Sequence, residues 1–359
     1  METLPCPEYF AGSDFFKMIW NFPKYLFPSF LCFLVVSQSV WLTLFYESRD
    51  EWTALIILFL QLWIYISVFR SRTRIRQLTE DLYRISNMLD VHTIQRKDML
   101  TIYIWVYCLF VACGTVFFEA AVFNSSMIAH AQHRLLNSEL DPFHLKKHFI
   151  YVLNSSIALS VSINHGFFAV LLGYYCFVCC CMKKFFLHFV RKSRILIARQ
   201  DYQRILEIYK ELNETMIMMD NFISLPILVS VLNILATLFW LGYSFAFTPS
   251  VNNTTSIYVY MGFIQYFALL LITLPPAAAA NQAAATAREM VLSLPGWFPK
   301  RYSIIKMYVR QRFMPKTALT LWKMYRIDKS LLISAIGTLI SYGILVGTLG
   351  SVQNSNKET

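Results

Sequence analysis

Charge is scarce in this chain. Only 15% of its 359 residues are Asp, Glu, Lys or Arg, against about 25% in a soluble globular domain. Acidic residues are the scarcer sign, 21 against 32 Lys and Arg. Motifs of catalysis are missing: no paired nucleophile and base, no metal-ligand motif and no phosphate-binding loop. Nothing therefore supports an enzyme, and no cofactor or metal is expected. A basic leader is missing too. The first residues carry Glu2 and Glu8, so the first apolar span, rather than a cleaved signal peptide, is expected to direct insertion.

What the chain has instead is apolar sequence. It is 57% hydrophobic, and several runs reach the roughly 20 residues that cross a bilayer. They fall at about 27–46, 52–69, 100–123, 149–182, 223–247, 257–286 and 330–350. None of the 32 basic residues lies inside them. Of these, 27 lie in the N-terminal arm and in the second, fourth and sixth connections. Basic connections stay in the cytoplasm. The expected fold class is thus an all-α polytopic membrane protein with seven transmembrane helices, the N-terminus cytoplasmic and the C-terminus extracellular, at the plasma membrane. This is opposite to the orientation of a G-protein-coupled receptor. A net charge of +11 is accounted for by this topology and by anionic inner-leaflet lipid, with no nucleic-acid partner.

None of the eight cysteines falls in an outer connection, so no external disulfide is expected. Cys176, Cys179, Cys180 and Cys181 cluster at the inner end of the fourth span, where packing and palmitoylation are both open. Sequons at Asn124, Asn252 and Asn253 face outward and are expected glycosylation sites, whereas Asn154 in a span and Asn213 in the cytosol should stay bare. Outer-loop His130, His133, His144 and His148 read as surface histidines rather than as a zinc site.

The inner connections have helical periodicity. Tyr202, Ile205, Tyr209, Leu212, Met216 and Met219 form one stripe, and Ile75, Leu78, Leu82, Ile85 and Leu89 another. Such faces pack within the chain or against other subunits. Pro275-Pro276 breaks the hydrogen-bond pattern of the sixth span, and the alanine-rich run beyond it allows close helix approach. We expect a kinked helix there. The chain divides into residues 1–286, a receptor bundle with a ligand-binding outer half and cytosolic extensions at about 70–98 and 183–222; residues 287–329, a cytosolic helical anchor; and residues 330–359, a last helix with a short outer tail.

Polar groups inside spans mark candidate ligand contacts. Glu119 is an acid within the third span, and intramembrane ionisable groups are costly. Ser156, Ser160 and Asn164 share one face of the fourth span, with His165 beside them. Trp240 and Tyr243 on the fifth span, and Tyr258 and Gln265 on the sixth, add aromatic and amide groups. Structural hydrogen bonds between helices are the competing role for each. In the last helix, Gly343, Gly347 and Gly350 form a small-residue face, and Ser341, Leu345, Thr348 and Leu349 form a second stripe. Around a symmetry axis that stripe would line a pore, with leucine rings closing it and hydroxyls wetting it. A lipid-facing or core helix would carry the same pattern. Asp328 fits a helix cap.

The run MYRIDKSLLISAIGTLISYGILVGTLG resembles the C-terminal signature of arthropod gustatory receptors. In that family an acidic residue precedes a leucine pair, followed by Thr-Tyr, five hydrophobic residues, Gln and Phe. Here Ile327, Asp328, Ser330, Leu331 and Leu332 match the entry, Ser341-Tyr342 stands for Thr-Tyr, and Thr348 and Leu349 replace Gln and Phe. The resemblance implies a ligand-gated cation channel of four subunits, homomeric or mixed with related chains, opened by a small-molecule tastant. Its last helices would line the pore, with Leu345, Thr348 and Leu349 at the gate, and its inner helices would form the tetramer anchor. One feature fits poorly: a cation path usually carries acidic rings, and the last helix has no Asp or Glu. Glu207, Glu211, Glu214 and Asp220 are the acids expected near the inner mouth. The competing functions are an odorant-type channel subunit, a G-protein-coupled receptor, which the basic register opposes, and a transporter, which the lack of visible internal repeats opposes.

Overall fold

The computed structural model describes residues 63–64, 66–68, 70–89, 114, 143–247, 253–313 and 317–355. Side chains are not described at 72, 143–167, 169, 240, 243–247, 253–259, 342, 346–347 and 349–355. Helix dominates these residues. In chain order they form α1 (Arg72–Met88), α2 (Phe143–Ala198), α3 (Tyr202–Phe247), α4 (Asn253–Trp297), a 3-10 turn (Pro299–Arg301), α5 (Tyr302–Phe313), strands β1 (Thr320–Leu321) and β2 (Tyr325–Arg326), and α6 (Lys329–Ser355).

α2, α3 and α4 are 56, 46 and 45 residues long, or about 85, 70 and 70 Å at 1.5 Å per residue. A bilayer core needs only about 30 Å, so each helix continues well beyond one. These three helices hold the segments long and apolar enough to cross a membrane, Val170–Ala198, Tyr202–Phe239 and Tyr260–Trp297.

The inner core follows the two stripes. Ile205, Tyr209, Leu212, Met216 and Met219 of α3 are buried, as are Leu78, Leu82, Ile85 and Leu89 at α1, while Arg204, Glu207 and Glu214 stay exposed. Lys192 on α2 donates to the Met88 carbonyl at 2.9 Å, placing a cation on the C-terminal carbonyls of α1. Beyond it, Gln200 takes φ 60° in the short turn between α2 and α3.

α4 is the central element, packed against α2, α3, α5 and α6. Ala277, Ala280, Ala283, Ala284 and Ala287 are all buried, because side chains this small let neighbouring backbones come close. The helix is continuous through Pro275 and Pro276. The prolines withdraw the donors that would have met the Leu271 and Ile272 carbonyls, and the backbone accommodates them inside one helix. α3 likewise runs through Pro226.

The anchor segment is helical only in part. Residues 320–326 form an antiparallel hairpin, Thr320 opposite Arg326 and Leu321 opposite Tyr325. Helical periodicity could not show it, because each strand is two residues long. Trp297, Ile304, Met307, Trp322, Met324 and Tyr325, at the end of α4, on α5 and on the hairpin, are all exposed.

Candidate pore helix and ligand-side residues

α6 starts from a fixed base. Asp328 accepts the Ser330 hydroxyl at 2.7 Å and the Leu331 N–H at 3.0 Å, the geometry of an N-cap bonded to the third helical residue. These bonds, the serine's first, hold its carboxyl below the ordinary carboxylate range. Over 27 residues the helix runs about 40 Å, enough to cross a bilayer.

Its environment changes along its length. Leu331, Leu332 and Leu339 pack against the inner core. Further on, Ile340, Ile344 and Leu345 are 58%, 63% and 54% exposed. Ser341 and Thr348 are exposed with them, and the Thr348 hydroxyl donates to the Leu345 carbonyl at 2.8 Å. Ser341, Leu345 and Thr348 are therefore together on uncovered surface of the protomer. Tyr342 and Leu349 lie on the same helix, their side chains outside the described residues. A Cβ built at Gly343 meets nothing within 4 Å. The small-residue face at this glycine thus has no packing partner among the described residues of its own chain.

The ligand candidates are placed unequally. Glu119 lies outside the described residues. Ser156, Ser160 and Asn164 are on α2, Tyr243 on α3 and Tyr258 on α4, with their side chains outside the described residues. Asn124 and Asn252 are outside them as well, and Asn253 is the first residue of α4.

Gln265 is fully placed and buried. A Cβ at Gly114 would sit 2.6 Å from its Cδ and 2.7 Å from both its Nε2 and its Oε1. The Gln265 amide on α4 thus lies against the Gly114 backbone, and a side chain at 114 would require that amide to shift. One residue on, the Tyr266 hydroxyl hydrogen-bonds Thr237 of α3, and Thr237 donates to the Asn233 carbonyl at 2.8 Å. Sequence reading found Gln265 but missed Gly114, Thr237 and Tyr266. A glycine among apolar residues and a threonine on a helix carry no signal until their neighbours are known.

Asp220, expected among acids at an inner mouth, is committed elsewhere: it accepts the Thr320 N–H at 2.6 Å. Of the cysteine cluster, Cys176 and Cys179 are buried, whereas Cys180 and Cys181 are partly exposed.

With this geometry in view, comparison with known proteins decides the family. A sequence model described as 7tm Chemosensory receptor matches residues 50–346. The chain belongs to this family. The membership agrees with the resemblance carried by residues 324–350, and it is a receptor family rather than an enzyme class. Two solved structures share the fold of this chemosensory receptor. One is the insect olfactory receptor OR5 from Machilis hrabei, with 10% identity, 88% of this chain and 87% of that chain covered and a TM-score of 0.58. The other is the same receptor in complex with eugenol, with 10% identity, 97% and 93% covered and a TM-score of 0.63. A search of curated proteins finds no match. The protein is accordingly an all-α polytopic membrane protein of the 7tm chemosensory receptor family.

Proposed function

We propose that this receptor is a taste-type, ligand-gated, non-selective cation channel that works as a tetramer in the plasma membrane, its N-terminus inside. Its small-molecule tastant would bind between the outer halves of the helices, and the last helix would line the pore. The observation that carries the reading is the exposure of α6: a helix fixed at its base on which Ser341 and Leu345 are exposed and, among the described residues, a Cβ at Gly343 would meet no neighbour. An apolar stripe with hydroxyls needs neighbours, and copies of itself around an axis supply them while leaving a narrow passage. The apolar surface around α5 and the hairpin supports assembly through the inner ends, since monomers rarely expose large contiguous apolar patches. The signature around Ser341-Tyr342 favours the taste branch.

For the ligand, Gln265 supplies a buried amide, with Glu119, Ser156, Ser160, Asn164, Tyr243 and Tyr258 as its proposed companions. Such a set of hydroxyls, amides and aromatics suits a polar tastant or an amine. Eugenol, the ligand of the similar olfactory receptor structure, supports a small organic molecule as the class. Glycans at Asn124, Asn252 and Asn253 would lie on the outer side.

The test is current recording from cells expressing this chain alone. Leu345→Ala should raise the resting cation current several-fold at equal surface expression, because trimming the ring removes the apolar constriction. Unaltered resting current and gating in that variant would remove the pore assignment.

A further inference from the structure

The hairpin before α6 is held by polar side chains that neither the ligand reading nor the pore reading uses. Asn281, buried on α4, gives its amide hydrogens to the Leu319 carbonyl at 2.9 Å and the Ile327 carbonyl at 2.7 Å. Its own oxygen takes the Leu319 N–H at 2.7 Å. The Ile327 N–H donates to the Leu319 carbonyl at 3.1 Å. Asn281 therefore closes both arms of the hairpin onto α4, much as an added rung would.

α3 holds the first arm. One oxygen of Asp220 accepts the Thr320 N–H at 2.6 Å and the Thr320 hydroxyl at 2.9 Å, and its other oxygen is 3.1 Å from that hydroxyl. Two turns below on the same helix, Asn213 accepts the Thr317 hydroxyl. At the tip, Trp322 and Lys323 adopt φ 50° and 59°, a left-handed backbone that side chains disfavour. The Met324 N–H to the Leu321 carbonyl, at 3.0 Å, and the Lys323 N–H to the Thr320 hydroxyl, at 3.0 Å, fix that turn. Strained backbone of this kind persists only where its surroundings over-determine it.

Ile327, the last clamped residue, is two positions from the start of α6. Among the described residues, Leu331, Leu332 and Leu339 of α6 pack against the core, two of them in the first turn beside the clamp.

We propose that the hairpin is a latch. It ties α3, at Asp220, and α4, at Asn281, to the base of the last helix, and these two are the positioning residues that keep this helix in its closed placement. A shift of α3 or α4 reaches α6 through these hydrogen bonds rather than through the membrane. The Asn281 bonds are buried and those of Asp220 part-buried, so removing a side-chain partner leaves backbone groups poorly satisfied.

This rests on the channel reading, and the test separates the two. The full chain is expressed in cells for resting-current recording at matched surface expression, and purified into nanodiscs for hydrogen exchange. Asp220→Ala and Asn281→Ala should speed exchange of residues 317–328 by about tenfold, the factor that loss of a charge-assisted or buried bond gives. Protection in α2 should stay unchanged, and resting cation current should rise several-fold. Asp220→Asn, which keeps an acceptor for Thr320, should restore both readouts most of the way. Where an alanine variant does not reach the surface, Thr320→Val, which removes only the hydroxyl bonds, should give a smaller change in the same direction.

Faster exchange with unaltered resting current, while Leu345→Ala does raise current, would make the clamp purely structural and overturn the latch. Unchanged exchange in both alanine variants would overturn it at the geometric level. No current from any variant, Leu345→Ala included, would overturn the channel reading and the latch's gating role with it.

Discussion

At the scale of the residue, Gly114 faces a close neighbour. Any side chain there must displace the amide of Gln265, which lies at 2.6 Å from the first added carbon. Gly114→Ala should therefore destabilise the folded receptor by about 1–3 kcal/mol, the usual cost of overpacking. Thermal unfolding of the purified protein would measure it. Gln265→Ala in the same chain should recover most of the loss, and a double variant as unstable as the single would show that the amide is not what the new carbon meets. Asp328 makes a second case. Its folded pKa is lowered, so its contribution is fully present above the unfolded value and disappears as pH falls through the folded one. Hydrogen-exchange protection of the first turn of α6 should be the same at neutral pH and near pH 5, and should drop only in acid below the ordinary carboxylate range. A drop near neutrality would mean that another group controls the turn.

At the scale of the element, α4 decides how closely the helices come together. Ala280 is fully buried on α4, so a larger side chain there must displace its neighbours. Ala280→Leu should cost about 1–3 kcal/mol and reduce the fraction of protein that reaches the surface, read by surface labelling against total protein. Ala280→Gly, which keeps the space, should reach the surface at a level closer to the parent. The amphipathic stripes of α1 and α3 were legible beforehand because a period of 3.6 leaves a trace in sequence whenever one face is buried. The hairpin was not. Two-residue strands have no period, and the bonds that hold them come from Asp220 and Asn281, about 100 and 38 positions away.

At the scale of the whole molecule, the distribution of basic residues fixes an expected orientation that tags can check. An epitope at the N-terminus should be protected on intact cells, and one at the C-terminus should be accessible to antibody without permeabilisation. The reverse labelling would sink the orientation, and with it the assignment of the apolar inner surface to the cytosol. That surface, from Trp297 to Tyr325, is what a tetramer would cover. The family match over residues 50–346 and the shared fold with an olfactory receptor at 10% identity show how little residue identity this architecture requires.

The first span and most of the second and third lie outside the described residues; the amino-acid sequence by itself determined the membrane class, the buried faces of α1 and α3, and the signature of the last helix. Each of these is a local or periodic property, set by transfer of side chains from water and by helical repeat. Tertiary structure decided the rest. It placed Gln265 against Gly114, joined Tyr266 to Thr237, drew Asp220 to Thr320, and left Ser341 and Leu345 exposed. Those outcomes depend on which distant segments meet, and a buried polar group declares its role only through the partner that satisfies it.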